Sequence, residues 1–231
     1  MCFKNPEMVI GGMEAGRGQR ISRYIIRLVQ VLGPRRVKVL GKTYRISPAV
    51  FNPRFYGSSI FMARNLEVKP GEEVLDMGTG SGILALTAAC NAERVVAVDI
   101  NAKAVRYAGE NARLNGLSDK VEVVQGDLFS SLDQAQKFDL IVFNPPYLEG
   151  KLYTGIDHAV NDPGGVVLKR FLQQAKHYLK QGGRVTMVYS SIADIAKMLN
   201  MVKTAGWRYE IVASRNIIFE TLNIYRLEPV E

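Results

Sequence analysis

Beyond Pro70-Gly71, short apolar segments alternate with segments of helical length, and this alternation constrains the fold more than any other feature of the chain. The strand-like runs are "EVLDMG", "RVVAVDI", "VEVVQGD", "KFDLIVF" and "RVTMVYS". The helical segments are "GILALTAACN" and residues 102–116, 165–180 and 192–205. Apolar strands that alternate with helices favour a parallel sheet covered on both faces.

The closing segment departs from this alternation. "RYEIVASRNIIFETLNIYRLEPV" contains two strand-like runs with no room for a helix between them. Because parallel neighbours need a long crossover, we expect one of these strands to run antiparallel to its neighbour.

The positive charge of the chain lies almost entirely in its first quarter. Residues 1–56 carry eleven Lys and Arg but two Glu, and the remaining residues are close to neutral, within a total of +8. Residues 18–32 have the apolar periodicity of a helix, and "RVKVLGKTYRI" has the pattern of a hairpin that turns at Gly-Lys. We therefore predict a basic helix-plus-hairpin extension over residues 1–50 and a second domain over residues 51–231. A solvated basic face and an arm that faces RNA or the ribosome both fit the charge.

Several classes of protein are disfavoured by composition. No run of about 18 apolar residues is present, so no membrane span is expected. The N-terminus lacks the pattern of a signal peptide. Cys2 and Cys90 match no metal-ligand spacing, so we predict no metal site and a cytoplasmic protein.

In "VLDMGTGSG" a strand leads directly into Gly78, Gly80 and Gly82 and then into a helix. Glycines at such a turn let the backbone approach a ligand closely. The spacing G-x-G-x-G differs from the dinucleotide fingerprint G-x-G-x-x-G. Asp76 precedes the loop and could hold an ammonium group, which favours S-adenosylmethionine (SAM) over NAD.

Polar residues follow four successive strands and should meet at the carboxyl edge of the sheet, where open α/β sheets bind ligands. We expect Asp99 to accept from ribose hydroxyls, and Asp127 to accept from an adenine amino group beside the apolar Leu128. The predicted cofactor-binding residues are Asp76, Gly78, Thr79, Gly80, Gly82, Asp99, Ile100, Asp127, Leu128 and Asn144.

"VLDMGTGSG", "VVAVDI", "QGDLF" and "FNPPY" resemble the successive motifs of class I SAM-dependent methyltransferases. The N-P-P-Y motif resembles the amino-methylating branch, which includes HemK-type glutamine methyltransferases and adenine-N6 methyltransferases. The resemblance covers residues of about 50 to 231. It implies a Rossmann-like, seven-stranded, mostly parallel sheet with the last strand antiparallel, and S-adenosylhomocysteine as product.

Methyl transfer to an amide or exocyclic amine requires that a conjugated nitrogen be aligned with the methyl group. The side-chain oxygen of Asn144 and the carbonyl of Pro145 could accept the two N–H hydrogens, and Tyr147 could stack on a planar group. Asn144, Pro145 and Tyr147 are therefore the predicted catalytic residues. We interpret His158 as a loop residue and His177 as an exposed helical one, and residues 148–165 as a lid.

The resemblance implies a macromolecular substrate, and the sequence leaves its class open. The tail of the chain resembles the archaeal and eukaryotic HemK-like subgroup, which implies a glutamine amide of a release-factor-like protein and, in some relatives, a small activator subunit. "VF…GSSIF" resembles the small-domain methyltransferases of rRNA, and Arg54 and Phe55 stand where HemK-like enzymes carry acids. Adenine-N6 or guanine-N2 methylation of RNA, and a non-catalytic SAM-binding module, are the alternatives.

Overall fold

A computed structural model describes residues 35–47, 57–150, 159–217 and 220–230. Its strands are β1 (Arg36–Val39), β2 (Lys42–Arg45), β3 (Glu73–Met77), β4 (Arg94–Asp99), β5 (Val121–Gln125), β6 (Phe138–Phe143), β7 (Leu179–Ser190), β8 (Trp207–Ile217) and β9 (Glu220–Pro229). Its α-helices are α1 (Gly57–Arg64), α2 (Ile83–Ala88), α3 (Ala102–Leu114), α4 (Val166–Ala175) and α5 (Ile195–Thr204).

Strands β3 to β9 form one sheet in the order β5-β4-β3-β6-β7-β9-β8. The pairs from β5 across to β7 are parallel, whereas β9 pairs antiparallel with both β7 and β8. The predicted Rossmann-like sheet with an antiparallel last strand is confirmed. Because β3 lies near the centre of this order, the loop that follows it lies between β4 and β6.

Both faces of the sheet are covered, as the apolar strands predicted. Val74 and Leu75 are adjacent in β3 and fully buried, yet they belong to two different hydrophobic clusters because successive side chains of a strand point to opposite faces. One cluster includes residues of α1, α2 and the β1–β2 hairpin. The other includes residues of α4 and α5, with Phe171 and Trp207 among its largest buried side chains.

The β1–β2 hairpin is attached to α3 by two asparagine side chains. Asn111 accepts from the amide of Arg45 at 2.7 Å and donates to the carbonyl of Arg45 at 3.1 Å. Asn115 makes the same pair of bonds to Thr43, at 3.0 and 2.8 Å. Each asparagine thus satisfies a donor and an acceptor on an otherwise unpaired strand edge.

The predicted hairpin is confirmed, and it belongs to a compact unit that runs from Pro34 to Glu231. The division of the chain at residue 50 stays a prediction. The helix predicted over residues 18–32 lies outside the described residues.

The segment predicted as one helix over residues 165–180 is shorter than expected. The α-helix ends at Ala175, a 3-10 turn covers Lys176–Tyr178, and β7 already begins at Leu179. In the described ranges, no helix is long and apolar enough to cross a membrane.

Candidate active site

The glycine loop after β3 is held in left-handed backbone conformations. Gly78, Gly80 and Gly82 have φ of +68°, +56° and +87°, a region that side chains with a Cβ rarely adopt. A Cβ on Gly82 would also lie 3.0 Å from Leu86 Cδ1 and 3.5 Å from the Cα of Ala108, so this glycine allows α2 to pack closely on α3. The predicted strand–loop–helix unit therefore forms, and its glycines are required by conformation.

Asp76 lies beneath this loop. It is fully buried, and its Oδ2 accepts from the Thr79 hydroxyl at 2.7 Å and from the Ala85 amide at 2.9 Å. Burial raises the pKa of Asp76 to about 7, against the lowering effect of these two hydrogen bonds. Asp76 is absent from the cavity wall, and among the described residues its buried Oδ1 has no hydrogen-bond partner. Its Oδ2 holds the loop, and its expected contact with an ammonium group stays a prediction.

A cavity of about 170 Å³ opens above the loop at the carboxyl ends of β3, β4 and β6. Gly78, Thr79 and Gly80 form one side of the cavity, and Asp99 and Ile100 form another. Ile100 is 60% exposed, so the surface of its side chain is available to a flat ligand at the cavity.

Asp99 ends β4 with its carboxylate fixed by backbone amides. Oδ2 accepts from the amide of Gly80 at 2.8 Å, and Oδ1 accepts from the amide of Asn101 at 2.9 Å. Burial raises the pKa of Asp99, and these two bonds counteract that effect. Since each carboxylate oxygen can accept a second hydrogen bond, Asp99 retains acceptor capacity for a pair of hydroxyls.

Asp127 and Leu128 also line the cavity, beyond β5. The Asp127 carboxylate forms a two-pronged ion pair with Arg170 of α4, with distances of 2.9 Å to Oδ2 and 3.3 Å to Oδ1. Leu128 has a φ of +51°, an uncommon conformation for a residue with a Cβ and one that concentrates at functional sites.

Asn144, directly after β6, lies at the cavity wall and is half-buried. Its amide nitrogen donates to the hydroxyl of Ser59 at 2.8 Å and lies 3.4 Å from the hydroxyl of Ser58. Both serines are buried, in the first turn of α1. The amide nitrogen is thus directed at α1, and the amide oxygen lies at the opposite end of the planar group.

The rest of the Asn-Pro-Pro-Tyr motif is divided between the cavity and its surroundings. Pro146 lines the cavity, Pro145 is buried, and Tyr147 contributes instead to a smaller adjoining pocket. There the Tyr147 ring lies 5.3 Å from the ring of Tyr189 at an angle of 54°. The expected roles of Pro145 and Tyr147 toward a substrate stay predictions.

The middle of the predicted lid, residues 151–158, lies outside the described residues, and so does His158. On the far side of the gap, Val160 accepts from the amides of Tyr147 and Leu148, at 3.2 and 2.9 Å. His177 is exposed in the turn after α4. Within the described ranges, no group of three or more His, Cys, Asp or Glu could hold a metal ion.

Ser59 and Arg170 were not predicted as site residues. Ser59 lies in "GSSIF", a segment whose resemblance to RNA methyltransferases was a signal that could have drawn attention to it. Arg170 lies 43 residues from Asp127 on an amphipathic helix, and no local pattern distinguishes it from a solvated arginine.

The cavity fits SAM by the chemistry of its walls. It offers exposed loop backbone for an amino acid group, Asp99 for a ribose diol, and the apolar Ile100 and Leu128 beside Asp127 for an adenine ring. SAM, when bound, would supply a methyl group on a sulfonium centre. The residues that would hold it are those of the loop together with Asp99, Ile100, Asp127 and Leu128.

The sequence is similar to those of two curated relatives over most of its length. A protein named as a protein N5-glutamine methyltransferase of Methanocaldococcus jannaschii is 34% identical over 201 residues, which cover 83% of this chain and 99% of the relative. A release factor glutamine methyltransferase of Koribacter versatilis is 37% identical over 171 residues. That match covers 67% of this chain and 60% of the relative.

Among solved structures, the ribosomal protein L11 methylase of Lactobacillus delbrueckii subsp. bulgaricus superimposes with a TM-score of 0.59 at 23% identity, over 80% of this chain and 84% of that one. The T. thermophilus 16S rRNA N2 G1207 methyltransferase, in complex with AdoMet and guanosine, gives 0.63 at 21% identity, over 84% and 49%. At these sequence identities, the structural similarity establishes only the fold.

The model of the methyltransferase small domain family matches residues 45–216. The predicted SAM-dependent methyltransferase is confirmed, and the chain belongs to the methyltransferase small domain family.

Proposed function

We propose that the protein methylates the side-chain amide of a glutamine in a release-factor-like protein. The observation that supports an amino-nitrogen target is the placement of Asn144, whose amide nitrogen is directed at α1 so that its oxygen can accept from a substrate nitrogen. The two relatives named as glutamine methyltransferases support the same substrate class.

In this reaction, Asn144 and Pro145 would act mainly by positioning the substrate nitrogen. The Asn144 oxygen and the Pro145 carbonyl would each accept one N–H of the glutamine amide, which orients the nitrogen toward the methyl group. As the new N–C bond forms, the S–C bond breaks with its electrons remaining on sulfur, and the nitrogen then loses one proton to water. Because no strong base is needed, alignment of the reacting atoms and electrostatic stabilisation would account for most of the rate enhancement.

The assignment predicts that Asn144→Ala abolishes most of the turnover. We expect kcat to fall by at least about a hundredfold, the scale seen when one preorganised polar group is removed from an active site. The SAM dissociation constant should change by less than about threefold, because the loop and Asp99 would remain intact. Single-turnover methylation and calorimetric SAM binding measure the two quantities, and a variant that retains near-normal kcat would contradict the assignment.

The substrate class is tested by supplying labelled SAM together with a purified release factor in one reaction and total RNA in another. Label that fragment mass spectrometry places on a glutamine supports the proposal. Label in RNA overturns it in favour of the RNA alternative, and label in neither overturns it in favour of a binding module.

The basic segment 1–56 would contribute by contacting the RNA of a ribosome on which the release factor is bound, in the cytosol. Replacing Arg17, Arg20, Arg23 and Arg27 by Gln in the full chain should reduce the salt dependence of RNA binding, and an unchanged slope would remove this role. The hairpin must be kept in any such variant because its side chains belong to the core. A small activator subunit stays a prediction.

A further inference from the structure

We infer that Ser59, assisted by Ser58, is a positioning residue that holds the Asn144 amide in place at the cavity wall for catalysis. The inference rests on the proposed function, because it concerns where Asn144 presents its amide oxygen to the substrate nitrogen. Asn carries a donor and an acceptor at opposite ends of one planar group, so a partner at the nitrogen end leaves the oxygen end available.

The geometry connects α1 to the active site through a single side chain. Asn144 Nδ2 lies 2.8 Å from Ser59 Oγ and 3.4 Å from Ser58 Oγ, so the first contact is a good hydrogen bond and the second a weak one. With its nitrogen held on the α1 side, the amide presents its oxygen on the other side.

Burial makes this arrangement specific. Ser58 is 6% exposed and Ser59 is 3% exposed, so water has little access to replace either hydroxyl. Without these hydroxyls the half-buried amide nitrogen of Asn144 loses its acceptors, which favours a displaced side chain. Ser59 also lines the cavity, so an effect on SAM binding must be measured separately.

The test compares Ser59→Ala, Ser58→Ala and Ser59→Thr in the full chain. We expect kcat to fall roughly tenfold for Ser59→Ala and about twofold for Ser58→Ala, in the order of the two distances. Ser59→Thr keeps a hydroxyl and should retain at least about half of the wild-type kcat. The SAM dissociation constant should stay close to wild type in all three, and the melting temperature should fall by no more than a few degrees in the alanine variants.

Ser214→Ala is the matched control, because Ser214 is an exposed serine of β8 that pairs with Asn223, far along the chain from the site. It should leave kcat and SAM binding unchanged. A Ser59→Ala variant with kcat within twofold of wild type would overturn the inference. So would a Ser59→Ala variant whose loss is matched by weaker SAM binding, or a Ser59→Thr variant as slow as the alanine variant.

Failure of this inference and failure of the proposed function are distinguishable. If Asn144→Ala loses its activity while Ser59→Ala does not, only the positioning role is wrong. If Asn144→Ala is active, the proposed chemistry itself is wrong, whatever the serines do.

Discussion

Charged groups at the amino ends of the strands are arranged differently from those at the carboxyl ends of the same sheet. At the amino ends, Arg184 pairs with Glu72 at 2.7 Å, and Lys180 bridges Glu73 and Asp139 at 2.8 and 2.9 Å. At the carboxyl ends, the side chains of Asp76 and Asp99 accept hydrogen bonds from backbone amides, and Asp76 also accepts one from a hydroxyl.

The pKa shifts follow this difference. Burial alone would raise the pKa of Glu72 and of Asp139, but hydrogen bonds and the nearby Arg184 and Lys180 lower both below their ordinary values. At the other edge burial dominates, and the pKa of Asp76 and Asp99 is raised. One edge therefore gains stability from its charges. The other edge, which receives the ligand, holds carboxyl groups whose charged form is disfavoured by burial.

Breaking the best-buried pair of the amino edge should have the largest effect on stability. The side chains of Arg184 and Glu72 are 12% and 10% exposed, so Arg184→Ala would leave Glu72 poorly solvated and without its cation. We expect the free energy of unfolding to fall by about 2–3 kcal/mol, with kcat unchanged. Denaturant titration measures this change in the free energy of unfolding.

Arg94→Ala is the matched control, because the Arg94–Glu122 pair of the same edge is about half exposed. Its loss should cost less than about 1 kcal/mol. Equal losses in the two variants would show that burial does not distinguish these pairs.

At the carboxyl edge, Asp76→Asn should change how stability depends on pH. The folded pKa of about 7 exceeds the ordinary value of 3.8, so the folded state binds more protons between these values. The contribution of Asp76 to the free energy of unfolding therefore falls as pH rises from about 4 to 7. The variant lacks this proton, so its stability relative to wild type should rise across that window, by about 1.4 kcal/mol for each pH unit between the two pKa values.

Denaturation midpoints at several pH values measure this difference, with Asp119→Asn in an exposed turn as the control. The amino-edge carboxylates have lowered pKa values, so the stability they contribute is lost only as pH falls below about 4. The two edges thus act in different pH windows. Parallel pH profiles for wild type and Asp76→Asn would contradict the raised pKa.

Arg170 differs from the pattern at the carboxyl edge, because it pairs a carboxylate there, that of Asp127, with a cation. We expect Arg170→Gln to weaken SAM binding about threefold to fivefold, because Asp127 loses the partner that fixes its carboxylate at the cavity. The effect is small because both side chains are about 45% exposed. Calorimetry with Arg106→Gln, which removes the exposed partner of Glu110 on α3, provides the control. Tighter binding by Arg170→Gln would mean that Arg170 competes with the ligand for Asp127.

Much of the fold was predictable because its signals are local. Apolar runs of five or six residues bounded by glycine and polar residues identified the strands, and the absence of a helix before the last run identified the antiparallel one. The cavity wall was predictable for the same reason, since Asp99, Asp127 and Asn144 each follow a recognisable strand. The position of Asp76 beneath the loop was not predictable from the sequence. A strand residue faces either the ligand or the core, depending on how the following loop folds over it.

By itself, the sequence determined the order of strands and helices, the glycines whose backbone must be left-handed, and the row of polar residues at the carboxyl edge. These follow from steric limits on single residues and from the periods of strand and helix. Only the tertiary structure decided which groups meet those residues: Ser59 on Asn144 across 85 positions, Arg170 on Asp127 across 43, and Arg184 on Glu72 across 112. Such contacts depend on how α1, α4 and the strands pack around one sheet, and no local pattern carries that information.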